Sequence, residues 1–203
     1  MIHSVGDSHA QWSFKGTGVT EHEIGPVTMN SVGVHSSSML DSIMKGLGII
    51  PSDIVILCFG EIDVRCHVQP RIDVGEEEYT VISTLVDRYV KNILESKFEN
   101  LWVLSITPPW DYASWKTFII NESGRSVEKD PYPLRGSDEN RVRFTKNMNK
   151  FLRDKCKSHK IPFVDVYDFY SDERGMLNPS LSDGTLHIGD TKFVKQVLDN
   201  MGI

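Results

Sequence analysis

Only three cysteines occur in 203 residues, Cys58, Cys66 and Cys156, and they follow no regular spacing. That scarcity argues against a disulfide framework, and Cys58 sits inside an apolar run where a thiol is most often a small buried side chain. Long hydrophobic runs are missing as well. No segment approaches the roughly 18–20 apolar residues that span a bilayer, and no basic stretch followed by a hydrophobic one opens the chain. A reducing, cytoplasmic setting without a membrane partner is therefore expected. Positive charge is in short supply: 22 Lys and Arg stand against 28 Asp and Glu, a formal net charge of −6. Such a balance argues against a nucleic-acid partner, which would want a basic face. Repeats and low-complexity linkers are absent. Histidines are present, but none falls in a zinc spacing such as His-Glu-x-x-His, and His9, His35 and His67 would need Asp7, Asp63 and Asp183 to meet them in space. No metal and no cofactor is expected.

What is present suits one well-buried core. With 39% apolar and 25% charged residues, the chain is long enough for a single domain over 1–203 and short for two. Strand and helix signals alternate, the pattern of a parallel sheet covered on both faces. Strands are predicted at Met1 to Val5, Gly25 to Asn30, Asp53 to Phe59, Leu101 to Ile106 and Ile161 to Val166. The third is a continuous apolar run, as a central strand buried on both faces requires. Helical stripes are predicted over Ser36 to Met44, Glu76 to Phe98, Asp138 to Lys157 and Thr191 to Met201. The expected architecture is a three-layer α/β/α sandwich around a five-stranded, flavodoxin-like parallel sheet.

Chemistry-bearing residues gather where strands end. The first strand runs straight into Gly6-Asp7-Ser8-His9, and ligands of open α/β sheets sit at the carboxyl ends of strands, so Ser8 is a candidate nucleophile. A strand-ending turn held by an Asx hydrogen bond would explain the same tripeptide. Near the other end of the chain, Asp183 and His187 lie in Leu181-Ser182-Asp183-Gly184-Thr185-Leu186-His187-Ile188. A carboxylate that orients an imidazole, and an imidazole that takes the proton of a serine, are what a hydroxyl nucleophile needs. After the third strand comes Gly60-Glu61-Ile62-Asp63-Val64-Arg65-Cys66-His67, unusually rich in titratable groups. The long segment 108–136 holds Trp110, Tyr112 and Trp115, whose faces suit a sugar ring or an acyl chain. It is expected to act as a substrate-binding lid, with a satellite core or an oligomer contact as the alternative.

These blocks resemble the SGNH (GDSL-type) hydrolases, which carry Gly-Asp-Ser in a first block, Gly in a second, Gly-x-Asn-Asp in a third and Asp-x-x-His in a last. The resemblance spans almost the whole chain. It implies a serine esterase acting through an acyl-serine intermediate, with Ser8, Asp183 and His187 catalytic and Asp7, His9, Gly60, Glu61, Asp63 and His67 in support. For the oxyanion it implies the N–H groups of Ser8 and of Gly33, the second-block candidate. A short acyl group, acetyl above all, on a small molecule or glycan is the implied substrate. A sugar O-acyltransferase and an inactive carbohydrate-binding or assembly module are the rival readings. Two departures stand out. Ile62 occupies the position of the Asn that donates to the oxyanion, with Arg65 as the candidate substitute or, alternatively, a local ion-pair partner of Glu61. His187 follows Asp183 by four residues in place of three, so Gly184 must let the loop absorb the insertion or Asp183 becomes a mere loop cap.

Overall fold

A computed structural model of the chain describes residues 1–121 and 130–203. Five parallel strands, β1 (Ile2–Gly6), β2 (Thr20–Glu23), β3 (Ile54–Cys58), β4 (Asn100–Leu104) and β5 (Phe163–Val164), form one sheet in the order β2-β1-β3-β4-β5. The order reverses between β1 and β3, the switch point at which open α/β sheets place ligands. This is the expected α/β/α architecture.

Strand β3 shows why both faces are covered. Val55 and Leu57 point into one core with Met29, Leu40, Val86 and Phe144, while Ile56 and Cys58 point into the other with Phe14, Tyr170, Val194 and Leu198. Alternate residues of a strand face opposite ways, so a continuous apolar run needs two covering layers. The first layer comprises α2 (Met29–Val34), α3 (Ser38–Gly46), α5 (Glu78–Leu94) and α7 (Asp138–His159); the second comprises α1 (Ser8–Trp12), α8 (Tyr167–Tyr170) and α9 (Lys192–Met201). Between β3 and α5 the chain makes a π-helical segment, Asp63–Val68, continued by α4 (Gln69–Asp73).

Two expectations are corrected. The second strand is Thr20–Glu23, a polar edge strand, and the segment read as that strand instead turns at Gly25-Pro26 and enters α2. Thr28 caps that helix, its hydroxyl accepting the Ser31 N–H at 2.9 Å. The long segment after β4 contains α6 (Tyr112–Asn121), started by Asp111, whose carboxylate accepts the Ser114 N–H at 2.9 Å. Residues 122–129 of the expected lid lie outside the described residues.

Candidate active site

At the carboxyl end of β1, the chain must turn while touching β3. A Cβ on Gly6 would stand 2.0 Å from the Cys58 carbonyl oxygen, so only glycine permits this approach. Asp7 follows, donating its N–H to that carbonyl at 3.3 Å and accepting the His9 N–H on Oδ1 at 2.9 Å, which caps α1. The cap leaves Ser8 as the first residue of the helix. Its hydroxyl donates to Nε2 of His187 at 2.9 Å, across 179 residues of sequence.

The partner is carried by a small hairpin. Ser182 and Ile188 form an antiparallel bridge, and the Asp183 N–H donates to the His187 carbonyl at 3.1 Å. Gly184, at φ +93°, absorbs the extra residue between Asp183 and His187. Gly189 closes the base of the hairpin, where a Cβ would come within 2.6 Å of the Ser182 carbonyl oxygen and the Asp183 nitrogen. His187 Nδ1 lies 3.2 Å from Asp183 Oδ2 and 2.9 Å from the Thr185 hydroxyl, which itself donates to Asp183 Oδ1 at 2.6 Å. With Nδ1–H held by these oxygens, Nε2 keeps its lone pair for the Ser8 proton. Burial, then the neighbouring His9, lower the His187 pKa to about 4 against the opposing pull of Asp183. Trp12 stacks on the imidazole, ring centres 5.5 Å apart and 20° from parallel.

A cleft of about 350 Å³ opens over Ser8, with Gly25, Pro26, Ile62, Arg65 and Tyr132 in its walls. Arg65 is fixed from behind: Nε donates to Glu61 (2.9 Å to Oε1) and Nη1 to the Tyr132 carbonyl (2.9 Å). Burial alone would lower its pKa, but Glu61 more than offsets that and holds the guanidinium charged. Among the described residues, no acceptor engages the N–H of Ser8 or of Gly25. Free backbone N–H groups beside a serine are what a reaction that builds negative charge there requires.

No family model and no curated protein matches the sequence. Solved structures do. A GDSL-like lipase from Bacteroides thetaiotaomicron superposes with a TM-score of 0.60 at 16% identity, over 98% of this chain and 86% of the lipase. A putative acylhydrolase from Bacteroides fragilis gives 0.58 at 16% identity over 98% and 82%, and an acetyl xylan esterase gives 0.52 at 14% identity over the full length of both chains. The chain has the SGNH/GDSL fold. At such identities the likeness speaks to architecture, and the chemistry has to be argued from the residues.

Measured against the blocks of that fold, the site brings Ser8, Asp183, His187 and Arg65 together. Gly33 is the clear correction. It lies within α2, where a Cβ would meet the Arg88 Cβ at 2.9 Å, so it serves the close packing of α2 on α5. Because β2 ends earlier than its sequence suggested, the glycine that follows it into the cleft is Gly25. Gly60, at φ +115°, carries the chain out of β3 with no room for a side chain beside Ile106 and Met29. Asp63 is fully buried and accepts the N–H groups of Met29 (2.7 Å) and Asn30 (3.2 Å), which seats α2; burial raises its pKa to about 7 against those bonds. His67 is exposed and lines a different groove, with Thr28, Asn30 and Arg88.

The aromatic segment also differs from expectation. Trp110 and Trp115 are 7% and 2% exposed and form a satellite core with Ile119 and Leu134, against which Leu186 of the hairpin packs. The Trp115 indole N–H is spent on Asp130 at 3.1 Å. Trp110 lines a separate groove beside Gly184, and exposed Tyr112 leans on Trp115, so none of the three borders the Ser8 cleft. Tyr132 does border it. Thr185, Trp12 and Gly25 are contributors that sequence reasoning missed; Trp12 was findable, since it follows Ser8 by four residues and shares its face of a helix. Among the described residues, no group of three or more His, Cys, Asp or Glu side chains is arranged to hold a metal ion, and no helix is long and apolar enough to cross a membrane.

Proposed function

We propose that the chain is a serine esterase that removes a small acyl group, acetyl foremost, from a carbohydrate ester. The observation that carries this reading is the unbroken chain of polar contacts from Ser8 Oγ through His187 to Asp183. Ser8 Oγ attacks the ester carbonyl carbon as its proton passes to His187 Nε2; the bond to the alcohol breaks and His187 returns the proton to the departing oxygen. Water then attacks the acyl-serine by the same route, releasing the acid and restoring Ser8. The N–H groups of Ser8 and Gly25 stabilise the oxyanion, and Arg65 supplies the charge that Ile62 cannot. The similar folds of a lipase, an acylhydrolase and an acetyl xylan esterase favour ester chemistry. A cytoplasmic setting fits the three free, buried thiols.

A second reading, a carbohydrate-binding module without turnover, is favoured by Ile62 alone, whose 5%-exposed apolar side chain lines the cleft where a donor would stand. A sugar O-acyltransferase differs only in what captures the acyl-serine. The deciding experiment is hydrolysis of an aryl acetate, with and without an acceptor sugar, by the wild type, Ser8→Ala and His187→Ala, alongside organophosphonate labelling of Ser8. Activity lost in both variants, with label on Ser8, is the expected result. A folded wild type with neither turnover nor label sinks the esterase, and acyl transfer to the sugar in preference to water makes it a transferase.

A further inference from the structure

Beside the Ser8 assembly sits a second acid–imidazole pair that the reaction just described does not use. Asp7 and His9 are 2% and 4% exposed. His9 Nδ1 lies 3.0 Å from Asp7 Oδ1, and His9 Nε2 lies 3.3 Å from the carbonyl oxygen of Leu186. Both acceptors lack a proton to give, so both ring nitrogens must donate and the ring is satisfied as an imidazolium. Leu186 immediately precedes His187, and the rings of His9 and His187 are 5.2 Å apart. The hairpin that bears His187 is thus tied to the residue next to Ser8 by one hydrogen bond from a buried cation.

Resting on the esterase reading, we propose that Asp7 and His9 are a positioning pair: Asp7 fixes the His9 ring, and the His9 Nε2–H holds the Leu186 carbonyl so that His187 stays within reach of the Ser8 hydroxyl. The arrangement suits a hairpin outside the sheet. Its other restraints include Ile188 buried in the second core, Leu186 against the Trp110 cluster and Trp12 stacked on the imidazole. These are apolar and ring contacts without a set direction; the hydrogen bond from the adjacent helix is directional and bears on the residue next to His187. The charged groups that face His9 are Asp7 and Glu61, which favour its cation, and Arg65, which opposes it; burial opposes it too, and its pKa still stands above the ordinary imidazole value. The pair also acts on His187 through space, since the His9 cation disfavours a second positive charge beside it.

The test uses His9→Phe, which removes the donor, and His9→Gln, whose amide keeps an N–H near the position of Nε2 without the charge. His9→Phe is expected to lower kcat by about 10- to 100-fold with KM little changed, because a displaced base costs the chemical step and not binding. His9→Gln is expected to recover most of that kcat. In both variants the His187 imidazole, followed by its ring-proton resonances, titrates at a higher pH than in the wild type. Cross-relaxation between the His187 and Trp12 rings weakens in His9→Phe and persists in His9→Gln. A His9→Phe protein with wild-type kcat, or one that melts at a lower temperature while its His187 titration and ring contacts stay in place, overturns the proposal. The resonance measurements need no turnover. If the wild type hydrolyses no ester and Ser8 takes no label, the esterase reading fails while the His187 shifts and ring contacts still decide the positioning pair.

Discussion

On the esterase reading, Ser8 acquires its character from one atom, His187 Nε2, and that atom must be unprotonated to act. Burial and the His9 cation put the His187 pKa near 4, below the ordinary imidazole value of 6.5, so the base stays neutral well into acid. Protonation removes the acceptor, so kcat/KM for an aryl acetate is expected to hold level as pH falls through 6.5 and to drop only on approaching about 4. A rate–pH profile checks this; an acid limb centred near 6.5 would mean that the imidazole is solvated in solution. At this scale the sequence was legible where chemistry dictates residue type. Ser8, Asp183 and His187 were singled out because a hydroxyl nucleophile needs a base and an orienting carboxylate. Thr185 escaped notice because its contribution comes from where an irregular hairpin places it, against both Asp183 and His187.

Elements were legible in proportion to how much apolar surface they bury. Strand β3 and helices α5 and α7 came within a few residues of their observed bounds, because their patterns answer to a core. Strand β2 failed for the opposite reason: Thr20-Glu21-His22-Glu23 has no apolar residue, its pairing with β1 is all that makes it a strand, and polar side chains are how an edge strand avoids further partners. With that strand misplaced, Gly33 and not Gly25 was the glycine expected beside Ser8. The two positions now predict different things. Gly33→Ala should push the Arg88 stem away from α2 and lower stability by about 1–3 kcal/mol, as overpacking does, with kcat unchanged. Denaturant titration read beside steady-state kinetics checks it; a fall in kcat without a fall in stability would return Gly33 to the site.

Across the whole molecule, the site is assembled from segments 179 residues apart, with Ser8 at the carboxyl end of β1 and His187 brought to it by the segment that precedes α9. The layer that makes this possible gathers Ala10 of α1 and Phe14 just after it with Ile188, Val194 and Leu198. Loosening it should therefore cost fold and site together. Leu198→Ala, which hollows that layer 11 residues after His187, is expected to lose about 2–5 kcal/mol and to shift the denaturant midpoints of far-ultraviolet ellipticity and of ester hydrolysis by the same amount. Midpoints that part company would show the hairpin holding its place without the layer beneath it.

The separation of Ser8 from His187 by 179 residues also has a meaning in time. A ribosome makes Ser8 179 residues before His187, so until the hairpin emerges that hydroxyl has no imidazole beside it. On the esterase reading, a transcript cut short before His187 leaves that hydroxyl inert, because Ser8 is armed only once translation has passed the hairpin and Ile188 has closed into its layer against the sheet.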